Sequence, residues 1–96
     1  MWKEIFYMNI TKKNGVVVLY DTKKIKESIL KANAEAPLEE MTPQMASYLA
    51  NEVFSRLTSK NEIITTQEIR EGVYQILIES GMLQTAECYM SYKKQP

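Results

Sequence analysis

Histidine is absent from the sequence, and cysteine occurs once among its 96 residues. Zinc sites of the Cys/His type need several such ligands, so this chain cannot supply one. Catalysis by a serine or cysteine nucleophile paired with histidine is excluded for the same reason. None of the twelve acidic residues lies in the apolar surroundings that tune a carboxyl group for acid–base chemistry. We therefore predict no catalytic residues, no metal site and no enzyme activity for this chain alone.

The sequence also lacks long hydrophobic runs and a second cysteine. No apolar stretch approaches the roughly 18 residues that span a bilayer, so no membrane partner is expected. Residues 1–6 contain an acid and no small-residue cleavage site, which excludes a secretory signal. The lone Cys88 cannot form an intrachain disulfide, and this favours a cytoplasmic location. The proportions of hydrophobic (45%) and charged residues (25%) are typical of one globular domain.

Charge is balanced overall but unevenly distributed. Residues 1–31 hold seven lysines and three acids, for a net charge of +4. Residues 32–92 hold three cations and nine acids, for a net charge of −6, and Lys93 and Lys94 restore neutrality. The acidic second part argues against a nucleic-acid partner, which requires a basic stripe. The basic first part indicates either an anion site or a solvated lysine surface.

Residues 8–20 predict a β-hairpin. Asn14-Gly15 is a strong two-residue turn signal, because both central residues of a type I′ turn need positive φ. A two-residue loop at this position would place Lys12 opposite Val17. The residues sharing one face would then be Met8, Ile10, Lys12, Val17 and Leu19. A two-stranded hairpin is marginal alone, so we expect this face to pack on other elements.

Apolar residues at helical spacing predict four helices after the hairpin. They are expected from Asp21 or Thr22 to Asn33, from Thr42-Pro43 to about Leu57, from Thr65 or Thr66 to Ser80-Gly81, and from about Gln84 to Tyr92. Thr65 and Glu68 have the spacing of a capping box, and Gly81 suits a left-handed helix end. We predict a mainly α fold, a four-helix bundle capped by an N-terminal β-hairpin. Residues 8–94 form one domain, and residues 1–7 are a leader or a strand extension.

Four short motifs along the chain resemble the ATP-cone family. They are Ile-Thr-Lys-Lys-Asn-Gly at residues 10–15, Tyr-Asp-x-x-Lys-Ile at 20–25, Thr-Gln-Glu-Ile at 66–69 and Ala-Glu-Cys-Tyr-Met-Ser-Tyr-Lys at 86–93. The corresponding family patterns are Val-x-Lys-Arg-Asp-Gly, aromatic-Asp-x-x-Lys-Ile, Thr/Ser-x-x-Ile and Ala-x-x-Tyr-x-x-Tyr-Arg. The order of the motifs and the elements between them agree with the family over nearly the whole chain.

The resemblance implies a regulatory nucleotide-binding domain with a hairpin-capped helical bundle. ATP-cones bind ATP or dATP as allosteric effectors, and we expect Mg²⁺ to accompany the nucleotide. They lie at the N-terminus of most ribonucleotide reductases, including the anaerobic class, to which we assign this chain. The expected partners are the reductase catalytic subunit or another cone. The alternative is a protein-interaction module on the same fold that has lost its nucleotide.

The resemblance also assigns the site. Lys12, Lys13 and Lys24 would face the phosphates, and Lys93 or Lys94 would close that side. This is physically reasonable, since a triphosphate carries about four negative charges and helix N-termini donate N–H groups to anions. Lys13 replaces the family arginine, so bidentate phosphate contact is lost while the charge remains.

The base and ribose are assigned to a second set of residues. By resemblance these are Ile10, Asp21, Ile25 and Thr66. Each has an ordinary structural interpretation as well. Ile10 and Ile25 suit a hydrophobic core, and Thr66 suits a helix N-cap. Lys93 and Lys94 suit a solvated tail.

Overall fold

The computed structural model describes residues 7–11, 15–59 and 63–94. The elements in chain order are β1 (Tyr7–Thr11), β2 (Val17–Asp21), α1 (Thr22–Asn33), α2 (Pro43–Thr58), β3 (Ile63–Thr65), α3 (Thr66–Glu79) and α4 (Leu83–Lys94). The described part of the chain is therefore mainly α with four helices, as predicted. Residues 12–14, which include Asn14 of the predicted Asn14-Gly15 turn, lie outside the described residues, so the complete hairpin stays a prediction.

The first three helices begin at side chains that the sequence predicts as caps. Asp21, Thr42 and Thr65 are the N-caps of α1, α2 and α3. The Thr65 hydroxyl accepts a hydrogen bond from the Glu68 N–H at 3.1 Å, and the Glu68 carboxylate accepts one from the Thr65 N–H at 2.9 Å. This reciprocal pair is a capping box, which satisfies two backbone donors that the helix cannot satisfy itself.

Helix α3 ends in a Schellman motif centred on Gly81. Gly81 has a φ of +79°, and its N–H donates to the Ile78 carbonyl at 3.1 Å. The Met82 N–H donates to the Leu77 carbonyl at 2.9 Å. These two bonds and the left-handed glycine define the motif. The prediction of Gly81 as the end of this helix is confirmed, and α4 begins two residues later at Leu83.

A third strand, absent from our sequence prediction, completes the sheet. The order is β2-β1-β3, and β3 runs parallel to β1. The register pairs Ile10 with Ile64 and Thr11 with Thr65. The sequence pattern predicted four helices after the hairpin and no strand between the second and third of them. Three residues carry too little periodic pattern to reveal a strand, so this pairing is decided by the tertiary structure.

The register between β1 and β2 differs by one residue from the predicted one. The two strands are antiparallel, with Thr11 opposite Val17 and Ile10 opposite Val18. The prediction of Lys12 opposite Val17 is therefore wrong. Because side chains alternate between faces, a one-residue shift moves Val17 away from the face of Ile10. The exposure of the two side chains agrees with this register, since Val17 is 51% exposed while Ile10 is 1% exposed.

The core lies between the four helices and one face of the sheet. Helix α1 packs against α2 and α4, and α3 packs against the same two helices. The largest fully buried side chains are Ile10, Ile25, Ile29, Ile64, Leu77, Val53, Val73 and Thr85. Ile10 and Ile64 attach the sheet to this core, so the strand order is held by burial as well as by hydrogen bonds.

Candidate functional site

The N-termini of α1 and α3 lie at opposite ends of the sheet. Strand β2 leads into α1 at Asp21, which pairs with Tyr7 at the start of β1. Strand β3 leads into α3 at Thr65, which pairs with Thr11 at the end of β1. Four strand steps at about 3.3 Å separate these positions by roughly 13 Å along the strand. The candidate residues on the two helices are therefore separated by about the length of β1.

The first turn of α1 is positively charged. Lys23 and Lys24 are both exposed there, and the turn contains no acidic residue. Asp21 Oδ1 accepts a hydrogen bond from the Lys24 backbone N–H at 3.3 Å, so this predicted ribose or base contact also acts as the helix cap. Two lysines at the positive end of a helix dipole make a position that favours an anion. The assignments of Lys24 and Asp21 to a nucleotide stay predictions.

Thr66 is the first residue of α3 and is half-buried. The capping group is the Thr65 hydroxyl, so the ordinary interpretation of Thr66 as the N-cap is wrong. Thr66 follows the sheet edge at which β1 ends in Thr11. Lys12 and Lys13 lie outside the described residues, but the sequence places them directly after Thr11. Carboxyl ends of neighbouring parallel strands are a common location for ligands.

The other predicted site residues are placed differently. Ile10 and Ile25 are each 1% exposed and belong to the core, as their ordinary interpretation expects. Their assigned base contacts stay predictions, and they would have to use the backbone unless the core opens. Lys93 lies in the last turn of α4, which continues to Lys94 rather than ending at Tyr92. The side chain of Lys93 is outside the described residues, so both its assignment to the phosphates and its alternative as part of a solvated tail stay predictions.

The sequence analysis missed a polar cluster at the end of the bundle away from the sheet. Glu39, in the loop between α1 and α2, accepts hydrogen bonds from the backbone N–H groups of Gln84 (2.8 Å) and Thr85 (2.7 Å). The Thr85 hydroxyl donates to Glu39 Oε1 at 2.7 Å and accepts from the Asn33 amide at 3.1 Å. The Asn33 amide also donates to the Glu39 carbonyl at 2.8 Å. A carboxylate from a distant loop thus caps α4.

The electrostatics of Glu39 follow from this arrangement. Partial burial raises the pKa of Glu39. The hydrogen bonds from Gln84 and Thr85 together lower it by more, so the pKa of Glu39 lies below its ordinary value. The only feature of the sequence that pointed to this cap was the lack of a capping residue before α4. Met82, the residue before α4, has no side-chain oxygen that could cap this helix. A helix without a local cap needs a cap from elsewhere in the fold.

A groove lies between α2 and α3. Its volume is about 380 Å³, and its lining residues are Val53, Arg56, Leu57, Glu68, Glu71, Gly72 and Gln75. Arg56 is bound to Glu79 through two hydrogen bonds of 2.7 and 3.0 Å. The bond from Arg56, followed by one from Gln75, lowers the pKa of Glu79. With its cation engaged and two carboxylates in the lining, this groove does not suit a polyphosphate.

The described residues contain neither a cluster of metal ligands nor a membrane-spanning helix. Across residues 7–11, 15–59 and 63–94, no group of three or more His, Cys, Asp or Glu side chains could hold a metal ion. None of the helices described there is long and apolar enough to cross a membrane.

A family model named ATP cone domain matches residues 8–96. No curated protein sequence matches the chain significantly. The match, together with the helical fold and the lysine-rich first turn of α1, defines a nucleotide-binding regulatory domain rather than a catalytic one. The chain belongs to the ATP-cone family, as the four motifs indicated. Members of this family bind ATP or dATP as effectors.

Proposed function

We propose that the chain binds ATP and dATP and thereby controls a ribonucleotide reductase of the anaerobic class. The observation that carries this proposal is the family match over residues 8–96. The first turn of α1 supports it, because Lys23 and Lys24 are exposed there at the positive end of the helix dipole. The reductase, its class and a cytoplasmic location rest on the resemblance alone.

The nucleotide would lie along the sheet, between the N-termini of α1 and α3. Lys12 and Lys13 approach the phosphates from the end of β1, and Lys24 approaches them from α1. A lysine carries its charge on a flexible four-carbon stem, so groups that start roughly 13 Å apart can converge on one triphosphate. Lys93 closes this side, and Mg²⁺ shares the phosphate charge.

The base and ribose would contact the remaining predicted residues. Thr66 offers a hydroxyl at the start of α3, where the neighbouring Thr65 is the N-cap. Asp21 offers a carboxylate at the start of α1. Ile10 and Ile25 form the floor beneath the nucleotide, and their contacts come from the backbone because the side chains are in the core.

The alternative, an interaction module without nucleotide, is less well supported on the surface assigned to it. An apolar contact surface for such a module would draw on Tyr48, Phe54, Tyr74 and the six methionines of the sequence. Tyr48 is 63% exposed, but Phe54 and Tyr74 are partly buried against the core. These aromatic residues therefore do not form one exposed patch, and we retain nucleotide binding as the proposed function.

Calorimetric titration of the chain with ATP and dATP, with magnesium at low salt, tests the proposal. We expect saturable binding that Lys24→Ala weakens at least tenfold, or about 1.4 kcal/mol. Lys31→Ala removes an exposed lysine from the other end of α1 and is the matched control for net charge. Equal losses of nucleotide affinity in the two variants would indicate nonspecific charge attraction. No heat from the folded wild-type chain would contradict nucleotide binding by this chain alone.

A further inference from the structure

Two leucines are exposed at the end of the bundle away from the sheet. Helices α1 and α3 both leave the sheet, so the segments that follow them, residues 34–42 and 80–82, lie at the opposite end. Leu38 in the first segment is 85% exposed, and Leu83 at the start of α4 is 55% exposed. They are among the few large apolar side chains in the described residues that are left in water.

The cap on α4 brings the chain segments that carry these two leucines together. Leu38 precedes Glu39, Leu83 precedes Gln84, and the Glu39 carboxylate is 2.8 Å from the Gln84 nitrogen. Each leucine is therefore the residue immediately before a member of this contact, one on the loop and one on the helix. Neither leucine is needed for these hydrogen bonds, which involve the following residue in each case.

The loop that carries Leu38 is held in place. The Ala36 N–H donates to the Asn33 carbonyl at 2.9 Å, and the Glu39 N–H donates to the Ala36 carbonyl at 3.0 Å. Ala36 itself is fully buried. Leu38 is thus exposed on an ordered loop between two anchored residues. A preorganised apolar side chain costs less entropy on binding than one on a flexible loop.

The surroundings of the two leucines are acidic. Glu35, Glu40 and Glu87 are exposed there. Glu87 is four residues after Leu83 and so lies on the same face of α4, and the Cys88 thiol donates to the Glu35 carbonyl at 3.5 Å, which places this turn against the loop. The sequence contains no lysine or arginine in residues 32–55 or 71–92. We call these five residues the distal patch: Leu38, Leu83, Glu35, Glu40 and Glu87.

We infer that the distal patch binds a basic amphipathic segment of another protein. An apolar centre with an anionic rim is complementary to a helix that carries leucine-like side chains flanked by lysine or arginine. A second copy of the chain fits poorly, because patch against patch would oppose like charges. Contact between the distal patch of one copy and the α1 lysines of another would be head-to-tail and would produce an open chain of molecules. The inference does not depend on nucleotide binding.

The test uses a synthetic amphipathic helical peptide of leucine and lysine as the probe, titrated into the isotope-labelled chain and followed by NMR. We expect saturable shifts confined to residues 35–40 and 83–88. The double variant Leu38→Ser/Leu83→Ser should weaken binding at least tenfold while leaving the unfolding temperature nearly unchanged, because both side chains are exposed. Tyr48→Ser, which removes an exposed apolar side chain outside the patch, should leave the affinity unchanged.

Several outcomes would overturn the inference. Equal binding of a peptide with glutamate in place of lysine would contradict it, and so would binding of the lysine peptide that persists in the double leucine variant. Shifts spread over all acidic surfaces would indicate charge attraction without a site. Sedimentation of the chain alone adds a further check, since self-association abolished by the double variant would show that the patch binds a second copy. Titration of the double leucine variant with nucleotide distinguishes a failure of peptide binding at the distal patch from a failure of nucleotide binding at the proposed effector site.

Discussion

Glu39 caps helix α4 from 45 residues away, with its Oε2 atom 2.8 Å from the Gln84 backbone nitrogen. The contact joins the loop after α1 to the helix that ends the described chain. It also supplies the acceptor that α4 lacks in its own sequence. The loop geometry and the start of α4 are therefore one structural unit, and both should respond when Glu39 changes.

Glu39→Gln should lower the unfolding temperature at pH 7 and reduce its dependence on acid. The pKa of Glu39 is lowered in the folded state, so its stabilisation is complete above the unfolded-state pKa of about 4.3 and is lost as pH falls through the folded-state pKa. Thermal melts from pH 7 to pH 3 measure this. We expect a loss of about 5 °C at pH 7 that disappears at the acid end.

Glu40→Gln is the matched control for this prediction, since it removes a neighbouring exposed carboxylate that is outside the cap. It should leave the unfolding temperature at pH 7 within about 1 °C of wild type. If Glu39→Gln behaves like Glu40→Gln across the pH range, the cap does not contribute to stability.

Gly81→Ala should destabilise the domain by about 1–2 kcal/mol, because φ at this position is +79° and a Cβ is unfavourable in the left-handed region. No atom lies close enough to clash with the added methyl group, so the cost comes from the backbone. Urea denaturation measures the change in free energy of unfolding. Gly81→Asn should cost less, because asparagine tolerates this conformation better. Equal stability of the alanine variant and wild type would contradict the Schellman motif.

Ile64→Ala should cost about 2–5 kcal/mol, and Ile64→Val about 0.5–1.5 kcal/mol. Ile64 is fully buried and is the central residue of β3, so the graded pair measures how firmly this short strand is attached to the core. Val16→Ala, at a half-exposed position before β2, should change stability far less. A negligible effect of Ile64→Ala in urea denaturation would mean that β3 is not packed as described.

Local patterns were sufficient for the starts of the first three helices and for the end of α3. Asp21, Thr42 and Thr65 cap their helices, and Gly81 ends α3, as the sequence indicated. A cap depends on a side chain and a backbone group within about four residues. All the information for such a contact is therefore contained in a short stretch of sequence. The same is true of the four motifs, which identified the family that the match over residues 8–96 confirms.

Long-range pairings were beyond the sequence alone. The β1–β2 register was predicted one residue away from the observed pairing of Thr11 with Val17. The turn signal at Asn14-Gly15 favours a two-residue loop, but the observed register places Val17 on the face opposite to that of Ile10, and Val17 is 51% exposed. In the third strand, Ile64 pairs with Ile10, and both side chains are buried in the core.

The sequence by itself determined the four helices, the N-caps of the first three, the absence of histidine chemistry and the family. Only the tertiary structure decided the sheet order, the opposite positions of Asp21 and Thr66 on the sheet, and the cap of Glu39 on α4. The physical reason is the range of the interactions. Caps and helical periodicity join residues a few positions apart, whereas the sheet and the Glu39 cap join residues tens of positions apart. Their geometry is set only when the core is packed.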